Sequence, residues 1–223
     1  MIQYHKIQTV YLRSPESNYK NLMEGTWGTP EFEMLKDIKW IWTEKIDGTN
    51  IRVMWDGFNV TFGGKTDDAQ MPPFLLKKLQ ETFTNEMMGA QFGFGIDSPA
   101  KEDEIRVCLY GEGYGARIQK GGGNYITGDV GFILFDCTVG DWWLNRESLE
   151  EIATNLSIQI VPIVGTGTLG EAVEYAKTGY KSTIAQNKET VAEGLIMKPA
   201  VDLFNRRGNR VVAKIKFRDF KTK

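Results

Sequence analysis

The sequence predicts an α+β domain of mostly antiparallel sheets, because hairpin-linked strand patterns and helical patterns fall in separate blocks. Short runs rich in β-branched and aromatic residues open the first block: Trp40-Ile41-Trp42-Thr43, then residues 51–55 and 58–62. Asp56-Gly57 separates the last two and predicts a two-residue hairpin turn. After Pro72-Pro73, Leu75, Leu79, Phe83 and Met87 recur every four residues, which predicts one amphipathic helix with a proline start.

The later elements follow from the same signals. Apolar runs predict strands at residues 105–110 and 132–137. A helix follows Asn145, with Leu149, Ile152 and Leu156 on one face. Another begins at Thr168, where Thr168-Leu169-Gly170-Glu171 has the form of a capping box and Gly179 supplies a stop. Strands return at residues 195–198 and 211–217. There is no internal repeat, low-complexity tract or proline- and serine-rich linker.

Bulk properties narrow the classes. The chain has 223 residues, 41% hydrophobic and 25% charged, which suits one large domain. No apolar run approaches the ~20 residues that span a bilayer, and the polar N-terminus lacks a signal-peptide core. A cytosolic location with no membrane partner is the expectation. Cys108 and Cys137 lie in apolar runs and read as packed, reduced thiols rather than a bridge or a zinc site. His5 is the only histidine, which excludes histidine-rich metal sites and argues against a serine–histidine triad.

Net charge is −2 and the calculated pI about 5.6, against the basic balance of proteins that coat nucleic acid. An enzyme with one basic cleft on an acidic body remains compatible. The stretch from Asn205-Arg206-Arg207-Gly208-Asn209-Arg210 onward is locally basic: a solvated tail or a phosphate-facing edge.

Five short motifs carry the chemistry. In order they are Lys45-Ile46-Asp47-Gly48, Tyr110-Gly111-Glu112, Phe132-Ile133-Leu134-Phe135-Asp136, Glu193-Gly194-Leu195-Ile196-Met197-Lys198 and Lys214-Ile215-Lys216. This ordered set resembles the motifs of the covalent nucleotidyltransferases: DNA ligases, RNA ligases and mRNA capping enzymes. The resemblance runs from about Trp42 to Lys216. DNA ligases and capping enzymes usually have arginine five positions after the lysine, where this chain has Asn50. That form resembles the bacteriophage ligases that repair breaks in duplex RNA, and their relatives. Phe62-Gly63-Gly64-Lys65-Thr66-Asp67 resembles the next family motif, which more often has arginine where Lys65 stands; lysine supplies charge there but no bidentate fork.

The resemblance implies a nucleotidyltransferase (ATP-grasp-like) domain of antiparallel sheets with flanking helices and the nucleotide bound between the sheets. It implies an ATP-dependent RNA ligase in which Lys45 becomes adenylylated, AMP passes to an RNA 5′-phosphate, and a 3′-hydroxyl displaces it. Attack on ATP needs an unprotonated amine, whereas free lysine has a pKa near ~10.4. Burial beside other cations and Mg²⁺ or Mn²⁺ disfavours the ammonium form. Lys214 and Lys216, two apart on one strand face, supply such cations and offset charge developing on the triphosphate.

By the same resemblance, Glu112 would bind ribose hydroxyls and Glu193 the divalent metal. Asn50 would hold the metal through a water, Asp47 would orient the lysine or serve a later step, and Lys198 would contact the α-phosphate. Glu44 and Lys65 complete the nucleotide-binding set. Phe135 is the candidate adenine platform, expected to share its face with Ile133 and Cys137 and to oppose Phe132. The glycine-rich segment 113–123, with Arg117 and Lys120, is either a plain surface loop or one that closes over phosphate or an RNA 5′ end.

The last motif ends seven residues before the chain does, so the expectation is one adenylyltransferase domain over 1–223 without a C-terminal oligonucleotide-binding barrel. RNA with 5′-phosphate and 3′-hydroxyl ends would then be gripped by the domain surface or with a partner protein. If the chain is viral, its place is the host cytoplasm. The alternatives are a DNA ligase or capping-type guanylyltransferase, against which Asn50 and the missing barrel argue, and a non-catalytic nucleotide or RNA sensor of the same fold.

Overall fold

The computed structural model describes residues 3–93 and 106–220. Its strands run in chain order as β1 (Gln8–Thr9), β2 (Tyr11–Arg13), β3 (Leu22–Trp27), β4 (Trp40–Lys45), β5 (Thr49–Trp55) and β6 (Val60–Gly63). They continue with β7 (Val107–Gly115), β8 (Val130–Val139), β9 (Trp142–Trp143), β10 (Gln159–Ile160), β11 (Ile163–Gly167), β12 (Gly194–Pro199) and β13 (Ala213–Lys216). The helices are α1 (Pro30–Leu35), α2 (Pro73–Thr82), α3 (Asn85–Phe92), α4 (Arg146–Asn155) and α5 (Leu169–Lys177). This is the α+β class expected, antiparallel except for the β1–β13 and β8–β10 pairs. None of the described helices is long and apolar enough to cross a membrane.

The chain folds as two compact units. The first comprises the segment up to Tyr4 and Asp47–Val161; the second comprises His5–Ile46 and the segment from Pro162. In the first unit a sheet of order β10-β8-β7-β5-β6, with β9 beside β8, packs one face on α2, α3 and α4. Ile51, Val53 and Trp55 of β5 alternate into that core with Leu75, Leu79 and Phe83, as period-two and period-four patterns require. In the second unit the sheet order is β1-β13-β12-β4-β11. Its Trp40, Trp42, Leu195, Met197, Ala213 and Ile215 pack on Leu169, Ala172, Val173 and Ala176 of α5. The Thr168–Glu171 capping box starts α5, and Gly179 follows its end with φ +65°.

Four local expectations change. The predicted single helix is two: Phe83 leaves helical geometry at φ −120°, ψ 92°, and its ring packs edge-on against Phe132 at 5.1 Å. Thr84 then caps a new helix by accepting from Met87 N. The hairpin after β5 has four loop residues, since Trp55 pairs with Val60. Asp56 Oδ1 accepts from both Phe58 N and Asn59 N at 2.7 Å, an Asx turn that outcompetes the two-residue form.

The third change is at Phe135. Tyr110 pairs with Asp136 but Gly111 with Leu134, so Phe135 is the extra residue of a β-bulge. The bulge resets alternation: Phe132, Leu134 and Cys137 all join the helix-covered core, and Cys137 does not share a face with Phe135. Fourth, the segment expected as a strand at 105–110 begins at Val107; residue 105 lies outside the described residues, as do 221–223. Both cysteines are free and buried, and burial pushes the Cys108 thiol up to about 11.

Leu79→Ala, at a fully buried contact, is expected to cost about 2–5 kcal/mol. Thr168→Ala, which removes the hydroxyl that accepts from Glu171 N on an exposed helix end but leaves the Thr168 backbone N–H to Glu171, is expected to cost about 1 kcal/mol. Urea denaturation followed by tryptophan fluorescence measures both.

Candidate active site

The second unit gathers three charged groups at one end of its sheet. Its core face is set by Trp40 and Trp42 on β4, so Thr43 and Lys45 point the other way. On β13, Ala213 and Ile215 are buried while Lys214 and Lys216 are half-buried on the opposite face, as their spacing predicts. Gly194 pairs with Lys45 on one side and Lys216 on the other, which brings Glu193 between the two ammonium groups. Lys45 Nζ lies 2.5 Å from Glu193 Oε2, and Lys216 Nζ lies 2.6 Å from Oε1. A Cβ on Gly194 would fall 2.0 Å from Ile215 O, so only glycine lets β12 come this close.

Burial raises the Glu193 carboxyl pKa, but the Lys45 charge, hydrogen bonds from Lys216 and Lys45, and the Lys216 charge outweigh it. Together they hold the group below its ordinary value. Lys45, Glu193 and Lys216 side chains are only 19%, 11% and 18% exposed, so the three charges act at short range with little screening. Lys198 lies further along β12, on the same face as Ile196.

Glu44, by contrast, is on the core side of β4 and 1% exposed. Its Oε1 accepts from Ser182 Oγ at 2.5 Å, and its Oε2 accepts from Thr183 N at 2.9 Å and Thr183 Oγ1 at 2.8 Å. The carboxylate therefore anchors the 182–183 segment to the strand that carries Lys45, and strand alternation turns it away from that lysine's side chain. Tyr180 OH donates to Gly194 O at 2.7 Å and ties the same region to β12.

The first unit carries the other motif residues on the sheet face opposite its helices. Asn50 and Glu112 are directly paired residues of β5 and β7. Asn50 Oδ1 is buried without a hydrogen-bond partner among the described residues, an acceptor suited to a water or cation. Phe135 is half-buried, its ring edge-on to Tyr4 at 5.2 Å; Tyr4 OH donates to Asp136 Oδ2 at 2.7 Å. The Asp47-Gly48 turn is held by Gln119 Nε2 donating to Gly48 O at 3.0 Å and by Asp47 N donating to Tyr125 OH at 3.4 Å. A Cβ on Gly48 would sit 2.3 Å from Gly113 O, which explains glycine at this point of the motif.

The glycine-rich segment is only partly a loop. Gly113–Gly115 complete β7, and the remainder is a compact turn with a short 3₁₀ helix at Gly122–Asn124. Arg117 has φ +66° and lies over the Phe74 ring at 4.6 Å, whereas Lys120 is exposed. Lys65 is exposed on the segment after β6. That segment is fixed by Arg52, fully buried, whose Nε donates to Gly64 O at 2.8 Å and whose Nη2 donates to Asp67 Oδ1 at 2.7 Å.

Sequence reasoning missed Arg52, Tyr4, Gln119 and Tyr125. Arg52 stands two residues after Asn50 and so on its face, a signal that alternation could have supplied. Nothing local marks the other three.

The residues fit Mg²⁺ or Mn²⁺ in character. No cluster of three or more metal-ligating side chains occurs among the described residues, but such ions take one or two carboxylates and keep waters and phosphate oxygens. Glu193 is a low-pKa carboxylate, and Asn50 offers an orphaned buried oxygen.

Comparison with known proteins places these features in context. The family model described as RNA ligase matches residues 38–216. A structure of the Naegleria gruberi RNA ligase with pyrophosphate shares the fold at a TM-score of 0.64 and 18% identity, covering 98% of this chain and 57% of that one. A mutant of that ligase with AMP and Mn gives the same values. Another, with ATP and Mn, gives 0.56 and 21%, covering 76% of this chain and 48% of that one. The chain thus spans about half the length of these solved ligases. No curated protein matches it.

Because its folded pKa is depressed, Glu193 contributes stability that is fully present above the ordinary value of 4.5 and lost as pH falls through the lowered one. Glu193→Gln is expected to destabilise the fold near neutrality by about 1–3 kcal/mol, since Lys45 and Lys216 lose their counter-charge. It should also flatten the loss of stability below the ordinary carboxyl range. Urea midpoints measured across that range check both effects.

Proposed function

The chain belongs to the RNA ligase family, and from that premise we propose that it is an ATP-dependent RNA ligase joining 5′-phosphate and 3′-hydroxyl RNA ends. The observation that carries this reading is the Lys45–Glu193–Lys216 cluster at the head of the Lys-Ile-Asp-Gly-Thr-Asn segment. The ATP, AMP, pyrophosphate and manganese named with the Naegleria ligase support the same nucleotide chemistry.

In the first step the neutral Lys45 amine attacks the α-phosphorus of ATP. A P–N bond forms, the bond to pyrophosphate breaks, and Lys45 carries AMP. Once the Lys45–Glu193 ion pair opens, the Lys45 ammonium gives up a proton to solvent to become the attacking amine, and Lys216 stays with the carboxylate. Lys198, Lys214 and Lys216 offset charge on the phosphates as it shifts to the leaving group. Glu112 holds ribose hydroxyls, Phe135 faces the adenine, and Asp47 orients Lys45.

Magnesium or manganese, when bound, neutralises phosphate charge; Glu193 would hold it, and Asn50 offers an oxygen for one of its waters. An oxygen of the RNA 5′-phosphate next attacks the AMP phosphorus, and the P–N bond breaks with return of the amine. The 3′-hydroxyl then displaces AMP and leaves a phosphodiester. Lys65, Arg117 and Lys120 serve phosphate contacts, Glu44 fixes the strand of Lys45, and RNA repair of the bacteriophage duplex type is the setting.

Incubation with α-labelled ATP and Mg²⁺ is expected to label wild type and to leave Lys45→Ala unlabelled. Gly48→Ala, which drives a Cβ into the Gly113 carbonyl, should label at least about 100-fold more slowly. Label retained by Lys45→Ala would sink the proposal. Chase of the labelled enzyme with nicked RNA, nicked DNA or GTP competition distinguishes RNA ligase from DNA ligase and guanylyltransferase.

A further inference from the structure

The connection from β12 to β13 is built as a finger, and its tip has a chemistry that the ligation steps above leave unused. Its neck is closed by Val211 N donating to Leu203 O at 2.8 Å and by the Phe204–Arg210 bridge. Arg210 is 6% exposed, and its Nη2 donates to Asp202 Oδ1 at 2.9 Å, so the Asp202 carboxylate is already paired.

The tip is a fixed turn. Asn205 Oδ1 accepts from Arg207 N and Asn209 N at 3.0 Å, Asn205 N donates to Asn209 O at 2.9 Å, and Gly208 takes φ +76°. This turn displays Arg206 and Arg207, both exposed and neither in an ion pair among the described residues. Beside them Phe204 is 54% exposed.

The turn thus presents an exposed aromatic ring and two exposed guanidinium groups together, a combination suited to a partner that both covers the ring and takes the positive charge. Single-stranded nucleic acid does both: a base stacks on the ring, and backbone phosphates take bidentate arginine contacts. We propose that the finger at residues 203–210 is an RNA-docking site, in which Arg206 and Arg207 grip the backbone and Phe204 stacks on a base. The proposal rests on the RNA-ligase reading for the kind of nucleic acid.

Topology sets where along the RNA this happens. Glu193 and Lys216 are at one end of β12 and β13, and the finger leaves the other end. Six strand residues separate them, roughly 20 Å at the usual rise. Lys214, beside Lys216, lies part of the way along that path. RNA with its 5′-phosphate near Lys45 therefore reaches the finger only several nucleotides into the chain.

The test uses the full chain and fluorescein-labelled 5′-phosphorylated RNA, with anisotropy giving affinity across a salt series. Labelling with α-labelled ATP is run in parallel. For R206A/R207A, binding of a long single strand should weaken at least about fivefold. The salt slope should fall by about 1.4, the value for two lost single-strand phosphate contacts. F204A should weaken binding without changing that slope, and R206K/R207K should restore the slope. Lysine labelling should be unchanged in all three, and an RNA of about three nucleotides, too short for the span, should bind wild type and variants alike.

Unchanged affinity and slope in R206A/R207A for the long strand would overturn the proposal, as would equal losses for long and short RNA. Failure of the wild type to label with ATP would count against the ligase reading alone, because the binding measurement does not depend on it.

Discussion

Glu193 between Lys45 and Lys216 is the interaction around which the second unit is arranged. Two ammonium groups this close repel unless a carboxylate separates them, and the carboxylate would lose hydration without both partners. Three adjacent strands must therefore be in register: β4 for Lys45, β12 for Glu193 and β13 for Lys216. Gly194 permits the approach, and the Trp40, Leu195 and Ile215 packing beneath fixes the register by burying alternate residues. The same contact holds Lys45 in an ion pair until something competes for the carboxylate, so the stability of this unit and the state of that lysine depend on one interaction.

In the first unit the analogous constraint is steric. Gly48 lies against Gly113 O, so the turn after Lys45 is seated on β7 before any polar contact is counted. Asn50 and Glu112 then fall opposite each other by strand pairing alone, and Arg52, next on that face, pins the segment that bears Lys65. The bulge at Phe135 moves this ring out of strict alternation and against Tyr4. Each device is small, and each depends on backbone spacing that a side-chain list does not contain.

The differences from the sequence reading share a cause. Phe83 continues the four-residue spacing of α2 perfectly well, but its pairing with Phe132, 49 positions away by number, and the Thr84 cap end the helix there. Asp56-Gly57 is a good two-residue turn until Asp56 finds two backbone donors in its own loop. Glu44 adjoins Lys45 in sequence yet is committed to Ser182 and Thr183, because neighbours in a strand face opposite ways. Local pattern supplies propensity, and the competing partner decides.

What the sequence determined by itself is therefore the set of elements with strong local signals, and the order of the chemistry. The Thr168 cap, the Asn145 helix start, the buried alternation of β4 and β12, and Lys214 with Lys216 on one face all follow from neighbours within a few positions. Tertiary structure alone decided which charges meet and which are spent: Lys45 with Glu193 across 148 positions, Tyr4 with Asp136 across 132, and Glu44 with Ser182 across 138. It also decided the Phe135 bulge and the paired neck of the arginine finger. The physical reason is that periodicity and caps act over one or two turns of chain. Ion pairing, burial and strand register are settled only when distant segments compete for the same partner.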